Sequence, residues 1–351
     1  MKSLKMGSAF VGIIVGAGFA SGQEILQYFT SFGYMGTIAA ILATALFAYL
    51  GMSLTRLGSR MKTTSHKEAI FGISGKIIGT IVDYIIILTL FGVGVVMIAG
   101  AGSIFSQQFD LPAPLGSTVM VILVVLTIML NVQKVIAIIG SITPFLIIAV
   151  IGLAVYSLMT MDSTFASLDP IANEQASPLP NWFLSALNYV SFNIAVGASM
   201  AIVMGGTEKD EKIAARGGFI GGLVLGGLII LSHLAIFSKV DVVGSAELPL
   251  LQIADDISPV LGIFMSFILF AMIYNTAVSM LFSFSARFVV MGTKKFRIFV
   301  IIVGIVAYIL SFVGFTELVS LFYPIVGYLG FFLVGALILA DIRKPHKKKH
   351  Q

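Results

Sequence analysis

Cysteine is absent from the chain, and charge is scarce. Without cysteine there is no disulfide framework, no thiolate nucleophile and no cysteine-held metal. Charged residues make up only 11% of the 351 positions and hydrophobic ones 58%, which excludes a soluble domain of this size. No His-Glu-x-x-His, no Gly-x-Ser-x-Gly and no clustered His/Asp site occurs, so the grounds for an intramembrane enzyme are missing. A nucleotide site is missing too. Gly72-Ile73-Ser74-Gly75-Lys76 lacks the first glycine and the hydroxyl of a phosphate-binding loop. The stretch Gly16 to Gly22 has the wrong final spacing for a dinucleotide fingerprint, and no strand precedes it. ATP-driven transport would therefore need a separate partner.

What is present is a series of apolar runs near the length of a membrane helix. The pattern predicts an all-α polytopic membrane protein with ten spans, at about 5–30, 34–55, 76–106, 115–131, 134–160, 182–205, 213–238, 258–291, 296–313 and 317–341. The start (Met1 to Lys5, then an apolar run) resembles a signal peptide, but the many later spans already require insertion, and the first span is expected to remain. A pI of about 9.3 would suit nucleic acid as a partner, yet the basic residues lie in short loops between spans. With the N-terminus inside, every one of the 21 basic residues except Lys239 falls on the cytoplasmic side, from Lys2 and Lys5 to the tail at 342–351. The other side carries Asp110, Asp162, Asp169, Glu174, Asp241, Glu247, Asp255 and Asp256. This satisfies the positive-inside rule and predicts both termini in the cytoplasm of a bacterial-type inner membrane.

The first span contains its own contradiction. Gly16-Ala17-Gly18-Phe19-Ala20-Ser21-Gly22 sits in its middle, and Gln23 and Glu24 follow. Glycines weaken a helix, and a carboxylate near mid-membrane costs several kcal/mol unless something answers it. Irregular backbone survives in lipid only where protein or a water-filled cavity satisfies it. A broken helix at a binding site is expected. The polar stretch 161–181 divides the ten spans into five and five, repeat A about 5–160 and repeat B about 182–341. An odd number per half inverts one half against the other, which is the layout of an inverted repeat. The sixth span should then be interrupted as well, and Ser191, Asn193 and Gly197 cluster about ten residues into it.

At this point the chain resembles the LeuT fold of the amino acid–polyamine–organocation superfamily. Residues 16–25, with Phe32-Gly33-x-x-Gly36, resemble more narrowly the YkvI-type bacterial membrane proteins, a group of candidate amino acid permeases. The resemblance implies a solute held at the two breaks by Gly16, Gly18, Phe19, Ala20, Ser21 and Gly22 of the first span and Ser191, Phe192 and Asn193 of the sixth. Backbone N–H groups from about Phe19 to Gly22 would face its carboxylate. It also implies a sodium ion between the carbonyls of Gly12 to Gly16 and the side chains of Asn275, Thr276 and Ser279. No other cofactor is implied. A helix-five lysine replaces that ion in some proton-coupled relatives, and here the fifth span has only Lys134, at its start.

The remaining polar residues carry smaller expectations. Ser21 and Glu24 fit a capping box in which Glu24 reaches back to the Ser21 amide; alternatively Glu24 takes a proton or a substrate ammonium. Asp83 is expected to pair with a basic residue such as Arg287 or Lys5, either as part of an inner gate with a role in proton coupling or as a buried structural ion pair. His233 reads as a satisfied histidine at the membrane interface, and Ser141, Thr143 and Pro144 should bend the fifth span. Gly217, Gly218, Gly221, Gly222, Gly226 and Gly227 have the spacing of close helix packing. Residues 246–254 read as a short amphipathic helix over the outer surface, and 63–75 as an interfacial one. The basic tail suits anionic lipid. Together these features predict an alternating-access transporter of a small zwitterionic solute, driven by sodium or protons. The rivals are an ion-uncoupled facilitator or a substrate sensor on the same scaffold.

Overall fold

A computed structural model describes residues 2–62, 66–130 and 143–342. Every described element is helical. Six stretches are long and apolar enough to cross a membrane: Gln23–Met61, Gly75–Phe109, Trp182–Thr207, Glu211–Phe237, Pro259–Phe288 and Phe315–Leu339. Shorter apolar helices cover Ala113–Met129 and Pro144–Met159. The chain is a polytopic membrane protein, and most of its described helices lie on the expected segments, with the second running on to Met61 and the third beginning at His66.

The first span is broken where glycine is densest. It comprises α1 (Lys2–Ile14), α2 (Ala17–Ser21) and α3 (Gln23–Tyr28). Val15 donates to the Val11 carbonyl and Ala20 to the Gly16 carbonyl, and between them the ladder is interrupted. Gly16 is extended, at φ −95° and ψ −177°. Gly22 is left-handed, at φ 85°, a conformation that ends α2 and that glycine adopts without steric cost. A helical turn at Thr30–Phe32 leads into α4 (Gly33–Met61). Next come α5 (His66–Phe109), bent at the non-helical Gly75, α6 (Ala113–Met129) and α7 (Thr143–Met159). Lys134 and Ser141 lie outside the described residues, as do the start of the fifth span and residues 63–65.

After the short α8 (Phe165–Asn173) come α9 (Trp182–Thr207), α10 (Glu211–Phe237), α11 (Val240–Val243) and α12 (Pro249–Ile257). The chain continues through α13 (Pro259–Phe288), α14 (Lys294–Ser311) and α15 (Phe315–Ile342). The sixth span corrects its expectation. α9 runs as helix from Trp182 to Thr207 without a break. Its polar residues serve a neighbour instead. Asn188 Nδ2 donates to the Pro324 carbonyl at 3.0 Å, and Ser191 Oγ to the Gly327 carbonyl at 2.7 Å. Pro324 lies inside α15, where a proline disturbs the backbone ladder. Polar side chains from α9 are bonded to backbone carbonyls along that stretch.

Glycine brings α4, α9 and α10 into backbone contact. A methyl on Gly218 would strike the Gly51 carbonyl, one on Gly205 the Thr55 carbonyl, and one on Gly222 the Phe47 carbonyl. Gly217 and Gly221 admit α1 in the same way, through Met6 and Gly7. The expected packing stripe is thus real, except that Gly227 faces open space.

Candidate functional site

The break in the first span opens onto a cavity of about 730 Å³. Its lining runs along α1 from Leu4 through Ser8 and Gly12 to Gly16 and Gly18, where Glu24 stands. α9 supplies Phe192, Asn193, Val196 and Met200; α13 supplies Met272, Asn275, Thr276 and Ser279. Val93 and Met97 of α5, Ile147 of α7, Val224 of α10 and Tyr323 of α15 also contribute to the wall. Ser8, Ala9 and Gly12 are exposed, so the cavity has its mouth on the side of the N-terminus.

The opposite side is sealed. Leu250 of α12 sits so close over Gly22 that a Cβ there would lie 2.8 Å from its Cγ. Gln107 at the end of α5 exchanges two hydrogen bonds with Leu248, donating to its carbonyl at 3.1 Å and accepting from its amide at 2.9 Å. Gln108 donates to Asp255 at 2.8 Å. The expected amphipathic loop helix is α12, with Leu250, Leu251 and Ile253 packed inward.

Glu24 is buried on the cavity wall. Its carboxylate accepts a hydrogen bond from Tyr189 Oη at 3.2 Å. It also occupies the space that a side chain at Gly18 would fill. The capping box is corrected by this placement. Ser21 Oγ bonds the Gly18 carbonyl and the Gln23 amide, the N-cap of α3 is Gly22, and Glu24 turns away from Ser21 toward α9. The expected donors between Phe19 and Gly22 are also partly in use, since Ala20 and Gly22 already bond Gly16 and Phe19. The free groups are those that helix ends leave: N–H at the start of α2 and carbonyls at the end of α1.

Of the residues proposed from the sequence, the cavity gathers Gly12, Gly16, Gly18, Glu24, Phe192, Asn193, Asn275, Thr276 and Ser279. Phe19, Ala20, Ser21, Gly22 and Ser191 are buried nearby but off its lining. Asp83 is also outside it. It forms an ion pair with Arg287 across α5 and α13, and Lys5 is not its partner in that pair. His233 is satisfied as expected and fully buried in protein, its ring nitrogens 3.1 Å from Thr30 Oγ1 and 2.9 Å from Thr37 Oγ1.

Asn275, Thr276 and Ser279 bring side-chain oxygens to the cavity wall. Thr276 Oγ1 donates to its own helix at Met272, 3.0 Å away, and keeps its lone pairs. The Asn275 amide oxygen is buried without a partner. No group of three or more His, Asp or Glu placed to hold a metal ion occurs among the described residues.

Two aromatic residues escaped sequence reasoning. Tyr189 is 1% exposed, packed against Tyr28, Phe29 and Phe47, and it holds Glu24. Tyr323 stacks on Phe192 with centroids 4.1 Å apart. The signal available was the phenol itself: a tyrosine deep in a membrane span must find a hydrogen-bond partner.

No family model matches the chain. It is 26% identical over 331 residues to the uncharacterized membrane protein YkvI of Bacillus subtilis, covering 94% of this chain and 93% of that one. It is 27% identical to the uncharacterized protein YyaD of the same organism, over 96% of each. Among solved structures, MhsT in complex with L-phenylalanine superposes with a TM-score of 0.61 at 18% identity, over 96% of this chain and 91% of that one. Mhp1 in its inward-facing conformation gives 0.60 at 13%, over 96% and 75%. A manganese transporter of Eremococcus coleocola gives 0.59 at 13%, over 97% and 76%. At such identities the likeness shows the fold, the LeuT fold that the sequence resemblance implied.

Proposed function

We propose that the chain is an alternating-access secondary transporter of a small zwitterionic solute, an amino acid in the first instance, driven by sodium or protons. The observation that supports this reading is the interrupted first span, which presents helix ends and a carboxylate to an enclosed cavity open on one side. The neighbours in fold include transporters, and one is described with an amino acid bound. With the charge pattern placing the N-terminus in the cytoplasm, the cavity mouth faces inward and α12 closes the outside. The first span, α4, α9 and α10 would rock as one unit against α5, α6, α13 and α14. Their glycine contacts favour this, since they hold α1, α4, α9 and α10 together. The two halves, about 5–160 and 182–341, would be the inverted repeats, with ten crossings in all.

In this reading Glu24 carries proton coupling, and Gly12, Gly16, Asn275, Thr276 and Ser279 form the sodium site. Purified protein in liposomes, screened with amino acids under imposed sodium and pH gradients, tests it. Gradient-driven uptake of at least one candidate is expected, with Glu24→Gln removing proton dependence or Thr276→Ala removing sodium dependence. Uptake that no gradient accelerates would favour a facilitator, and uptake of nothing would favour a sensor.

A further inference from the structure

We propose that Glu24 is the receptor for an ammonium group on the solute, and that this group enters by displacing a proton from the same carboxyl. The proposal rests on the transporter reading and adds a chemical class to it: the solute is a primary amine, and a carboxylate on it is dispensable for binding.

Charge is the first argument. Among the described residues that line the cavity, Glu24 is the one acid, and no Lys, Arg or His accompanies it. What faces it from the packed elements is phenolic: Tyr28 on its own helix, Tyr189 on α9 and Tyr323 on α15. None of these is a cation. A buried carboxylate without a cation is costly, and either a proton or an ammonium relieves that cost. A solute anion meets no basic side chain on this wall.

Hydrogen-bond inventory is the second argument. An ammonium has three donors and no acceptor. The cavity offers acceptors in excess. The Asn275 amide oxygen is buried and unpartnered. Asn193 gives one of its two amide hydrogens to the Tyr189 carbonyl at 3.0 Å, and its oxygen is a further acceptor on this wall. The carbonyls that end α1 lie along the same wall. The stacked rings of Phe192 and Tyr323 add a surface that suits a cation's face or an apolar body.

The exchange balances. The incoming R–NH3+ meets a carboxylic acid; the Glu24 O–H bond breaks, the proton leaves through the cavity mouth, and an ammonium–carboxylate pair remains. For a simple amine the site is neutral before and after; a zwitterion adds the charge of its own carboxylate. Tyr189 is a positioning residue, holding the carboxylate toward the cavity through its hydroxyl.

The test uses the purified full-length protein in weakly buffered detergent with a pH indicator, alongside thermal melting. The probes are primary amines graded from methylamine to 2-phenylethylamine, L-leucine, and 4-methylpentanoate, which is L-leucine without its amine. Amines and L-leucine are expected to raise the melting temperature and release about one proton per molecule bound, whereas 4-methylpentanoate does neither. Glu24→Gln, nearly isosteric, should abolish the release and weaken amine binding by roughly tenfold or more. Tyr189→Phe keeps the carboxyl, so release should persist while affinity falls. The proposal is overturned if no amine in the series binds, if binding releases no proton, or if the Gln variant binds amines as the parent does. Gradient-driven uptake of a solute without an amine would keep the transporter reading and remove this one.

Discussion

A methyl group added to Gly18 would fall on the Glu24 carboxyl oxygen, whereas one added to Gly12 would meet nothing within 4 Å. Both glycines line the cavity, so the pair separates geometry from composition. Gly18→Ala should push Glu24 off its place under Tyr189 and weaken solute binding about tenfold, ~1.4 kcal/mol. Gly12→Ala keeps the backbone carbonyl assigned to the sodium site and adds a methyl that meets nothing, so it should bind and melt close to the parent. Equal binding by the two variants, measured by the same thermal shift, would mean that Glu24 does not need its observed position. Residue-scale reading of the sequence found Glu24 but not its partner. The capping-box spacing of Ser21 and Glu24 is a local pattern, and the competing bond reaches Tyr189, 165 positions away.

At the scale of elements, the first and sixth spans show how similar signals end differently. Glycine density broke the first span because Gly16 and Gly22 both adopt non-helical backbone there. α9 holds Ser191 and Asn193 in a continuous helix because Ser191 finds a partner on α15 and Asn193 finds one a turn back in its own helix, at Tyr189. Asn188→Ala and Ser191→Ala should therefore each cost about 0.5–1.5 kcal/mol in thermal unfolding and speed amide exchange in α15 past Pro324. Unchanged exchange there would show that these bonds do not stabilise the final helix. The Asp83–Arg287 pair is of the same kind, half-sheltered and interhelical. Asp83→Asn should lower stability by about 1–3 kcal/mol, and adding Arg287→Gln should restore part of it, since the orphaned charge is the larger penalty. A double variant less stable than Asp83→Asn alone would count against that account.

For the whole molecule, the absence of cysteine becomes an experimental advantage, because any introduced thiol is unique. Ser8, Lys62 and Glu174 are exposed. In intact cells a membrane-impermeant maleimide should label Glu174→Cys alone. Ser8→Cys and Lys62→Cys should react only after the membrane is opened, and solute should slow Ser8→Cys because Ser8 lines the cavity. The reverse pattern would invert the orientation and turn the cavity mouth outward.

The sequence alone determined the helical segments, the break in the first span and the glycine stripe of α10. Each follows from a local rule: lipid admits apolar helix, glycine yields where helix fails, and small residues let backbones approach. Only the tertiary structure decided that α9 stays whole, that Glu24 leaves its cap for Tyr189, that His233 is buried between Thr30 and Thr37, and that one side of the cavity is closed by α12. Those outcomes depend on which polar group finds which partner across helices far apart in the chain. In a medium without water that choice belongs to packing, and neither spacing nor periodicity records it.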